Sequence, residues 1–315
     1  MSDTTALVPE RHEQSQDVFA ATAGARFADA VRSRSAGAAR RAGHRVAWVL
    51  RRPTLVVAVV WLLLVVVAAV APWVLAPGDP LDGVPADRLQ APSAAHWFGT
   101  DQLGRDLYTR VVHGASLTVS AAAIAVTVGL VFGTLLGLVA GFVGRWVDDA
   151  VMRLADVLLA IPALLLSLAI VTALGFGTVN VAVAVGFAGI ATVSRISRSE
   201  VLRVRTSLFV DAARAAGNRW GRTLFHHVLP NSVGPVLVLA VLEFAGAILA
   251  VSALSFLGYG AQPPTPEWGA LVSGGRDYLR TAWWLTTLPG LVIVVTVLSA
   301  NRVSRALDVE GRRTR

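Results

Sequence analysis

Long apolar runs are the feature that most constrains the fold of this 315-residue chain. A helix needs about 20 apolar residues to cross the hydrocarbon core of a bilayer. Six runs approach or exceed that length, and they cover residues 54–76, 117–141, 150–174, 178–194, 233–257 and 283–301. Only 15% of the residues are charged, against roughly a quarter in a soluble domain. We therefore expect an all-α membrane protein with six transmembrane helices.

The distribution of arginine predicts how these helices are oriented. All 28 basic side chains are arginine, and 23 of them lie before the first run, at 145–153, in 195–222 or after the last run. The other five are Arg88, Arg105, Arg110, Arg276 and Arg280. Basic residues concentrate on the cytoplasmic side of membrane proteins, so both termini are predicted to be cytoplasmic. We therefore attribute the net charge of +8 to arginines that set the orientation in the membrane and contact lipid, and we expect no nucleic-acid partner.

Several classes of chemistry have no support in the sequence. There is no cysteine, which excludes thiolate metal sites and a cysteine nucleophile. No GxxxxGK[ST] phosphate-binding loop is present, so any ATP must be bound by a partner. His226 and His227 are adjacent and point to different faces of a helix, which suits no metal site. We predict that the chain is not an enzyme and holds no cofactor or metal.

The chain divides into four predicted segments. Residues 1–45 form a basic cytoplasmic tail, which is either disordered or a loose amphipathic helix on the anionic leaflet. Residues 46–111 hold the first span and an extracytoplasmic loop, and 112–305 hold the remaining spans. Residues 306–315 form a second, short basic tail.

A polar, basic segment at 195–232 is predicted to be the main cytoplasmic loop. Within it an apolar stripe of small residues runs at helical spacing and ends at Gly217, which favours a left-handed turn. A second short stripe follows, and Pro230 prevents unbroken continuation into the next span. The pattern predicts a helix–turn–helix hairpin on the cytoplasmic face. The alternative is an interfacial helix lying on the membrane, which would favour bulky anchors over alanines.

The residues of this hairpin resemble the EAA loop of ABC-importer permeases. The resemblance rests on Asp211-Ala212-Ala213, then Gly217, then His227-Val228-Leu229-Pro230, with Asp211 where the family most often has glutamate. It implies a coupling helix that seats in a groove of a cytoplasmic ATPase subunit. The coupling residues that it implies are Asp211, Ala212, Ala213, Ala216, Gly217, Leu229 and Pro230.

Three further segments are similar to the second membrane subunit of dipeptide, oligopeptide and nickel permeases. They are HWFGTDQLGRD (96–106), DDAVMRLADVLLAIP (148–162) and LSFLGYGAQPPTPEWGALVSGGRDYLRTAWW (254–284). The resemblance spans roughly residues 46–309 and implies a type I ABC-importer permease fold in the bacterial cell membrane. It also implies a homologous permease subunit, two ATPase subunits and an extracytoplasmic substrate-binding protein as partners. The solute would be a peptide, nickel or another small molecule.

Two spans carry residues that are candidates for the pathway or its gate. Pro162 is predicted to kink the third span, as a flexible point or as a fixed packing kink. In the same span Arg153 and Asp156 have the spacing of a pair on one helix face. Glu243 lies deep in the fifth span, where a carboxylate is costly, and it either lines a pathway or is satisfied by a neighbour.

The extracytoplasmic loop 259–282 is the candidate contact for the binding protein. It is rich in proline, and the residues that we assign to this contact are Gln262, Pro264 and Trp268. A purely structural loop is the alternative. Two other classes remain for the whole chain, a self-sufficient secondary transporter or channel and a membrane-embedded hydrolase. The first would need paired intramembrane charges or inverted repeats, and the second a catalytic cluster.

Overall fold

The computed structural model describes residues 52–206 and 229–313, with side chains over 52–206 and 239–307. The predicted tail 1–45 and coupling residues Asp211, Ala212, Ala213, Ala216 and Gly217 lie outside the described residues. The chain divides into two compact units, 1–56 and 57–315. Of the first unit, only the start of the first helix is described.

Nine α-helices make up most of the described residues. In chain order they are α1 (Pro53–Val70), α2 (Pro72–Leu75), α3 (Leu107–Val143), α4 (Arg145–Ala160), α5 (Ala163–Leu174), α6 (Thr178–Arg205), α7 (Leu229–Phe256), α8 (Trp268–Gly275) and α9 (Trp284–Arg313). Two single 3-10 turns, Pro85–Asp87 and Arg276–Tyr278, lie in the segments before α3 and after α8.

Five of these helices are long and apolar enough to cross a membrane, namely α1, α3, α6, α7 from Leu239 and α9 to Leu307. A sixth span is present if α4 and α5 together count as one, although they meet at 93°. Many large apolar side chains on these helices are exposed, among them Val60, Leu64 and Leu298. Such faces fit a lipid or protein environment and would be costly in water.

The third predicted span, 150–174, is not one kinked helix as we expected. α4 ends at Ala160, Ile161 is extended with φ −92° and ψ 129°, and α5 begins at Ala163 directly after Pro162. The proline ring disfavours a helical conformation for the residue before it and removes the backbone N–H that would continue the helix. Pro162 therefore separates two helices instead of bending one.

The boundaries around the predicted cytoplasmic loop also differ from the expectation. Residues 195–205 belong to α6, which continues well past the apolar run that ends at 194. On the other side α7 begins at Leu229, and Pro230 lies in its first turn. A proline is well tolerated there because the first N–H groups of a helix have no partner within it. Most of the predicted tail 306–315 is likewise helical, since α9 runs to Arg313.

A row of glycines brings α3 and α6 into backbone contact. Gly129, Gly133, Gly137 and Gly141 follow one another at intervals of four residues and so lie on one face of α3. A Cβ atom added at Gly133 would lie 2.6 Å from the Val193 Cβ, and one at Gly141 would lie 3.0 Å from the Cβ of Val201 on α6. Small residues at such spacing allow close helix packing in membranes, where dispersion contacts drive association. We call these four residues the glycine seam.

Candidate functional site

A cavity of about 210 Å³ lies between α3, α5, α6 and α7. Its walls are built mainly from glycine, alanine and valine, and one acidic side chain reaches it. That residue is Glu243, midway along α7. Its Oε2 atom lies 4.0 Å from the place where a Cβ would stand on Gly189 of α6. The sequence-predicted pathway residue thus faces a space between helices.

The cavity opens at the surface of this chain. Ala163 and Leu164 at the start of α5 line it and are exposed, as is Gly246 on α7. The Ser167 hydroxyl donates a hydrogen bond to the Ala163 carbonyl at 2.7 Å, so its oxygen remains available only as an acceptor. Glu243 has no ion-pair or hydrogen-bond partner among the described residues. Pro162 precedes the exposed rim but is not itself part of the lining.

On the face that we predict to be extracytoplasmic, a buried carboxylate organises the segment before α3. Asp101 is 4% exposed, and its Oδ1 atom accepts hydrogen bonds from the backbone N–H groups of Leu103 and Arg105 at 2.8 and 3.0 Å. Its Oδ2 atom accepts from the Arg105 Nε at 2.7 Å and lies 3.6 Å from the Arg110 Nε. One carboxylate therefore faces two buried guanidinium groups.

Arg110 connects the cluster of Asp101, Arg105 and Arg110 to the predicted extracytoplasmic loop 259–282, which we call the outer loop. Its Nη1 atom donates to the Pro80 carbonyl at 2.8 Å, and its Nη2 atom donates to the Pro264 carbonyl at 3.2 Å. Pro264 and the neighbouring Gln262 have exposed side chains. Both residues are therefore available at the surface, as a contact with a binding protein requires.

Trp268, the third residue that we assigned to that contact, is buried, so the assignment of Trp268 is wrong. Its side chain is 1% exposed, and its Nε1 atom donates to the Val111 carbonyl of α3 at 2.8 Å. Its backbone N–H donates to the Thr118 hydroxyl at 3.2 Å. The indole therefore anchors α8 to α3, because burial of the ring and both hydrogen bonds hold it inside the bundle.

Glu267 completes this anchor and was not singled out from the sequence. It is fully buried, and its carboxylate accepts hydrogen bonds from the Ser255 hydroxyl at 2.5 Å and the Ala261 N–H at 2.8 Å. Burial raises the pKa of Glu267 above its ordinary value, while these two hydrogen bonds oppose the shift. A Cβ added at Gly260 would overlap the Ser255 hydroxyl and the Glu267 carboxylate, so the loop passes too close for any other residue.

Two ion pairs join the C-terminal half of α6 to α4. Arg198 forms two hydrogen bonds with Asp148, of which the Nη2–Oδ2 contact is 2.6 Å, and Arg195 pairs with Asp156. The predicted pair between Arg153 and Asp156 is therefore wrong. Helix spacing allowed both partners, but the Asp156 carboxylate is turned towards the neighbouring helix.

In the parts of the chain that the structure describes, no three acidic or histidine side chains come together in a way that could hold a metal ion. The glycine seam and the Asp101 and Glu267 clusters were missed in the sequence analysis. The seam had a visible signal, the four-residue spacing of glycines in an apolar run. No sequence pattern near Glu267 predicted its burial, because its hydrogen bonds depend on how α7 and the outer loop pack.

Comparison with known proteins identifies the family. Residues 133–310, more than half of the chain, match the family described as binding-protein-dependent transport system inner membrane component. The chain belongs to this family. The matched range includes Glu243 and the predicted coupling residues, whereas the Asp101 cluster precedes it.

Relatives from several bacteria extend the similarity beyond this range. The chain is 46% identical to a dipeptide transport system permease protein of Alkalihalophilus pseudofirmus, over 71% of this chain and 73% of the relative. It is 42% identical to a di/tripeptide transport system permease protein of Pseudomonas aeruginosa, over 78% and 83%. A glutathione transport system permease protein of Pectobacterium atrosepticum is 38% identical, over 82% and 86%.

A solved structure supports the fold. One chain of the crystal structure of an amino acid ABC transporter with histidines aligns with 66% of this chain and 95% of its own length, with a TM-score of 0.51 and 16% identity. The described part of this chain therefore has the fold of a type I ABC-importer permease. The family match and the relatives above show that the protein is a multi-pass membrane permease.

Proposed function

We propose that this chain imports dipeptides or other short peptides as one of two homologous permease subunits of an ATP-driven importer. The observation that carries the proposal is the 46% identity to a dipeptide transport permease. Related permeases are named for di/tripeptides and glutathione, which are all short peptides. In this proposal the subunit itself hydrolyses no ATP and holds no cofactor.

The cavity beside Glu243 would form this chain's half of the translocation pathway. It lies between four helices, opens at the surface of the chain and carries a single acidic group. A homologous subunit placed against that opening would close the path from the other side. Polar residues at membrane depth commonly mark such routes, which supports this placement.

Coupling to ATP hydrolysis would depend on the cytoplasmic segment between α6 and α7. The residues Asp211, Ala212, Ala213, Ala216 and Gly217 resemble the coupling loop of ABC-importer permeases, with Asp211 where glutamate is most frequent. Two ATPase subunits would each receive one such loop, one from this chain and one from its homologue. Leu229 and Pro230 would fix where the loop returns to α7.

The outer loop would receive the substrate-binding protein through Gln262 and Pro264, which are exposed. The protein would reside in the bacterial inner membrane with both termini in the cytoplasm. The arginine distribution supports this orientation. Single cysteines at positions 90 and 270 should react with an impermeant thiol reagent from outside, and one at 210 should not.

Reconstitution of the importer tests the proposal. Liposomes that contain this chain, its homologous subunit and the ATPase subunits should take up alanyl-alanine only with the binding protein outside and ATP inside. Gly217→Val and Ala213→Arg should insert normally but lose binding-protein-stimulated ATP hydrolysis, because both change the predicted coupling helix. Arg34→Gln in the tail is the control. Uptake without ATP, or normal coupling in both variants, would contradict the proposal.

A further inference from the structure

We propose that the Glu243 carboxylate forms a subsite for a primary ammonium group of the imported solute, such as the α-amino group of a peptide. The inference rests on the proposed import of peptides and assigns a ligand to one residue of the pathway. It starts from the geometry of the cavity. Glu243 lines that cavity midway along α7, and no described residue offers it a positive charge or a hydrogen bond.

An unpartnered carboxylate at this depth needs a compensating cation or a proton. Removal of a charged group from water costs several kcal/mol unless an opposite charge or hydrogen-bond donors replace its hydration. The basic side chains further along α6 are already paired, Arg195 with Asp156 and Arg198 with Asp148. A cation that arrives through the cavity would therefore meet a carboxylate without a competing partner.

The space beside the carboxylate can admit such a group. A Cβ added at Gly246, one turn along α7 from Glu243, meets no heavy atom within 4 Å. At Gly189 the nearest such atom is the Glu243 Oε2, at 4.0 Å. The volume of about 210 Å³ holds several water molecules at roughly 30 Å³ each, which is enough for the amino end of a short peptide.

The polar groups that line the cavity suit an ammonium group better than a metal ion. Among the described residues, the lining contains one carboxylate, the hydroxyls of Ser167 and Thr192, and no histidine. Nickel binds best to several nitrogen or oxygen ligands held in a fixed geometry. A primary ammonium has three N–H donors and needs only a few acceptors, so one carboxylate with a nearby hydroxyl and water satisfies it.

The first test measures attraction of an ammonium group independently of transport. The chain has no natural cysteine, so Gly246→Cys places a single thiol one turn from Glu243. In the assembled importer this thiol is treated separately with 2-aminoethyl and 2-sulfonatoethyl methanethiosulfonate, which carry opposite charges. Adding Glu243→Gln should lower the ratio of the cation rate to the anion rate about tenfold, because it removes the charge that attracts one reagent and repels the other.

Ala94→Cys in the exposed outer segment is the matched control, and its ratio should not respond to Glu243→Gln. An unchanged ratio at Gly246→Cys would overturn the proposal, because the carboxylate then exerts no pull on an ammonium group. Complete protection of Gly246→Cys from both reagents would also overturn it. That result would show that the cavity is already filled in the assembled importer and admits no ammonium group.

The second test measures uptake of alanyl-alanine by the complete importer. Glu243→Gln should lower uptake about tenfold, the change that 1.4 kcal/mol produces, while binding-protein-stimulated ATP hydrolysis stays within about twofold. Glu243→Asp should retain part of the uptake because it keeps the charge. Thr127→Ala, which removes a hydroxyl bonded to the Ala123 carbonyl outside the cavity lining, should transport normally. Normal uptake in Glu243→Gln would refute the subsite, whereas absence of uptake in the unmodified importer would refute the proposed function instead.

Discussion

Gly137 offers the sharpest test of how this bundle is held together. A Cβ added there would lie 2.7 Å from the Ser197 Cβ and 2.8 Å from the Arg198 backbone nitrogen, and closer still to the Ser194 carbonyl oxygen. Ordinary contacts begin at 3.4 Å, so Gly137→Ala must move α3 and α6 apart by more than half an ångström. The obstacles include the α6 backbone, which cannot turn aside as a flexible side chain would.

Separation of the two helices should weaken contacts along the whole glycine seam. Overpacking of this kind costs about 1–3 kcal/mol, and the Gly137→Ala variant should lose that much free energy of unfolding. The assay is unfolding of the purified chain in mixed micelles by titration with dodecyl sulfate, followed by circular dichroism.

Gly290→Ala in α9 is the matched control for this measurement. A Cβ at Gly290 meets no heavy atom within 4 Å, so alanine should leave stability unchanged or raise it by up to about 1 kcal/mol through its higher helix propensity. Equal stability of the Gly137→Ala and Gly290→Ala variants would refute the close approach of α3 and α6.

Three further predictions concern the polar clusters at the two ends of the bundle. The raised pKa of Glu267 means that its stabilising contribution is complete below the ordinary value of 4.5 and falls as pH rises through the folded-state pKa. The melting temperature Tm of the chain should therefore fall as pH rises, and it should fall less steeply in Glu267→Gln. The control is Asp277→Asn at an exposed site, which should leave the slope of Tm against pH unchanged. Asp101→Ala should lower the free energy of unfolding by about 3–5 kcal/mol in the micelle titration, because it leaves buried guanidinium groups unpaired. Arg198→Gln should lower it by about 1–3 kcal/mol, whereas Arg153→Gln, which removes no ion pair, should change it by less than about 0.5 kcal/mol.

The apolar runs predicted the helices well because length and hydropathy act locally. Four runs correspond to single long helices and the first is divided between α1 and α2, whereas Pro230, which was expected to break the chain before the next span, lies inside α7. The third run was misread for an equally local reason. Its composition is suitable for a span throughout, but the conformation of Ile161 before Pro162 divides it into α4 and α5.

The polar clusters could not be predicted because their partners are distant in the sequence. Trp268 donates to Val111 across 157 positions and Arg110 to Pro264 across 154. An outer-loop tryptophan therefore has the same local pattern whether it faces the membrane interface or the interior. Asp156 shows the same effect on a smaller scale, since its partner lies 39 positions away on α6 rather than one turn away on α4.

The two helices that flank the predicted coupling segment, α6 and α7, also line the cavity. The predicted coupling residues from Asp211 to Gly217 lie between the end of α6 at Arg205 and the start of α7 at Leu229, and these two helices carry Gly189 and Glu243. At 1.5 Å per residue, the cavity stands about 20–25 Å along each helix from that segment. The glycine seam fixes α6 against α3, so a displacement of the coupling segment should move α7 more readily than α6. If the proposed ATPase subunits act on this segment, ATP binding should change the distance between Glu243 and the α6 wall, and with it the access of a solute to the carboxylate.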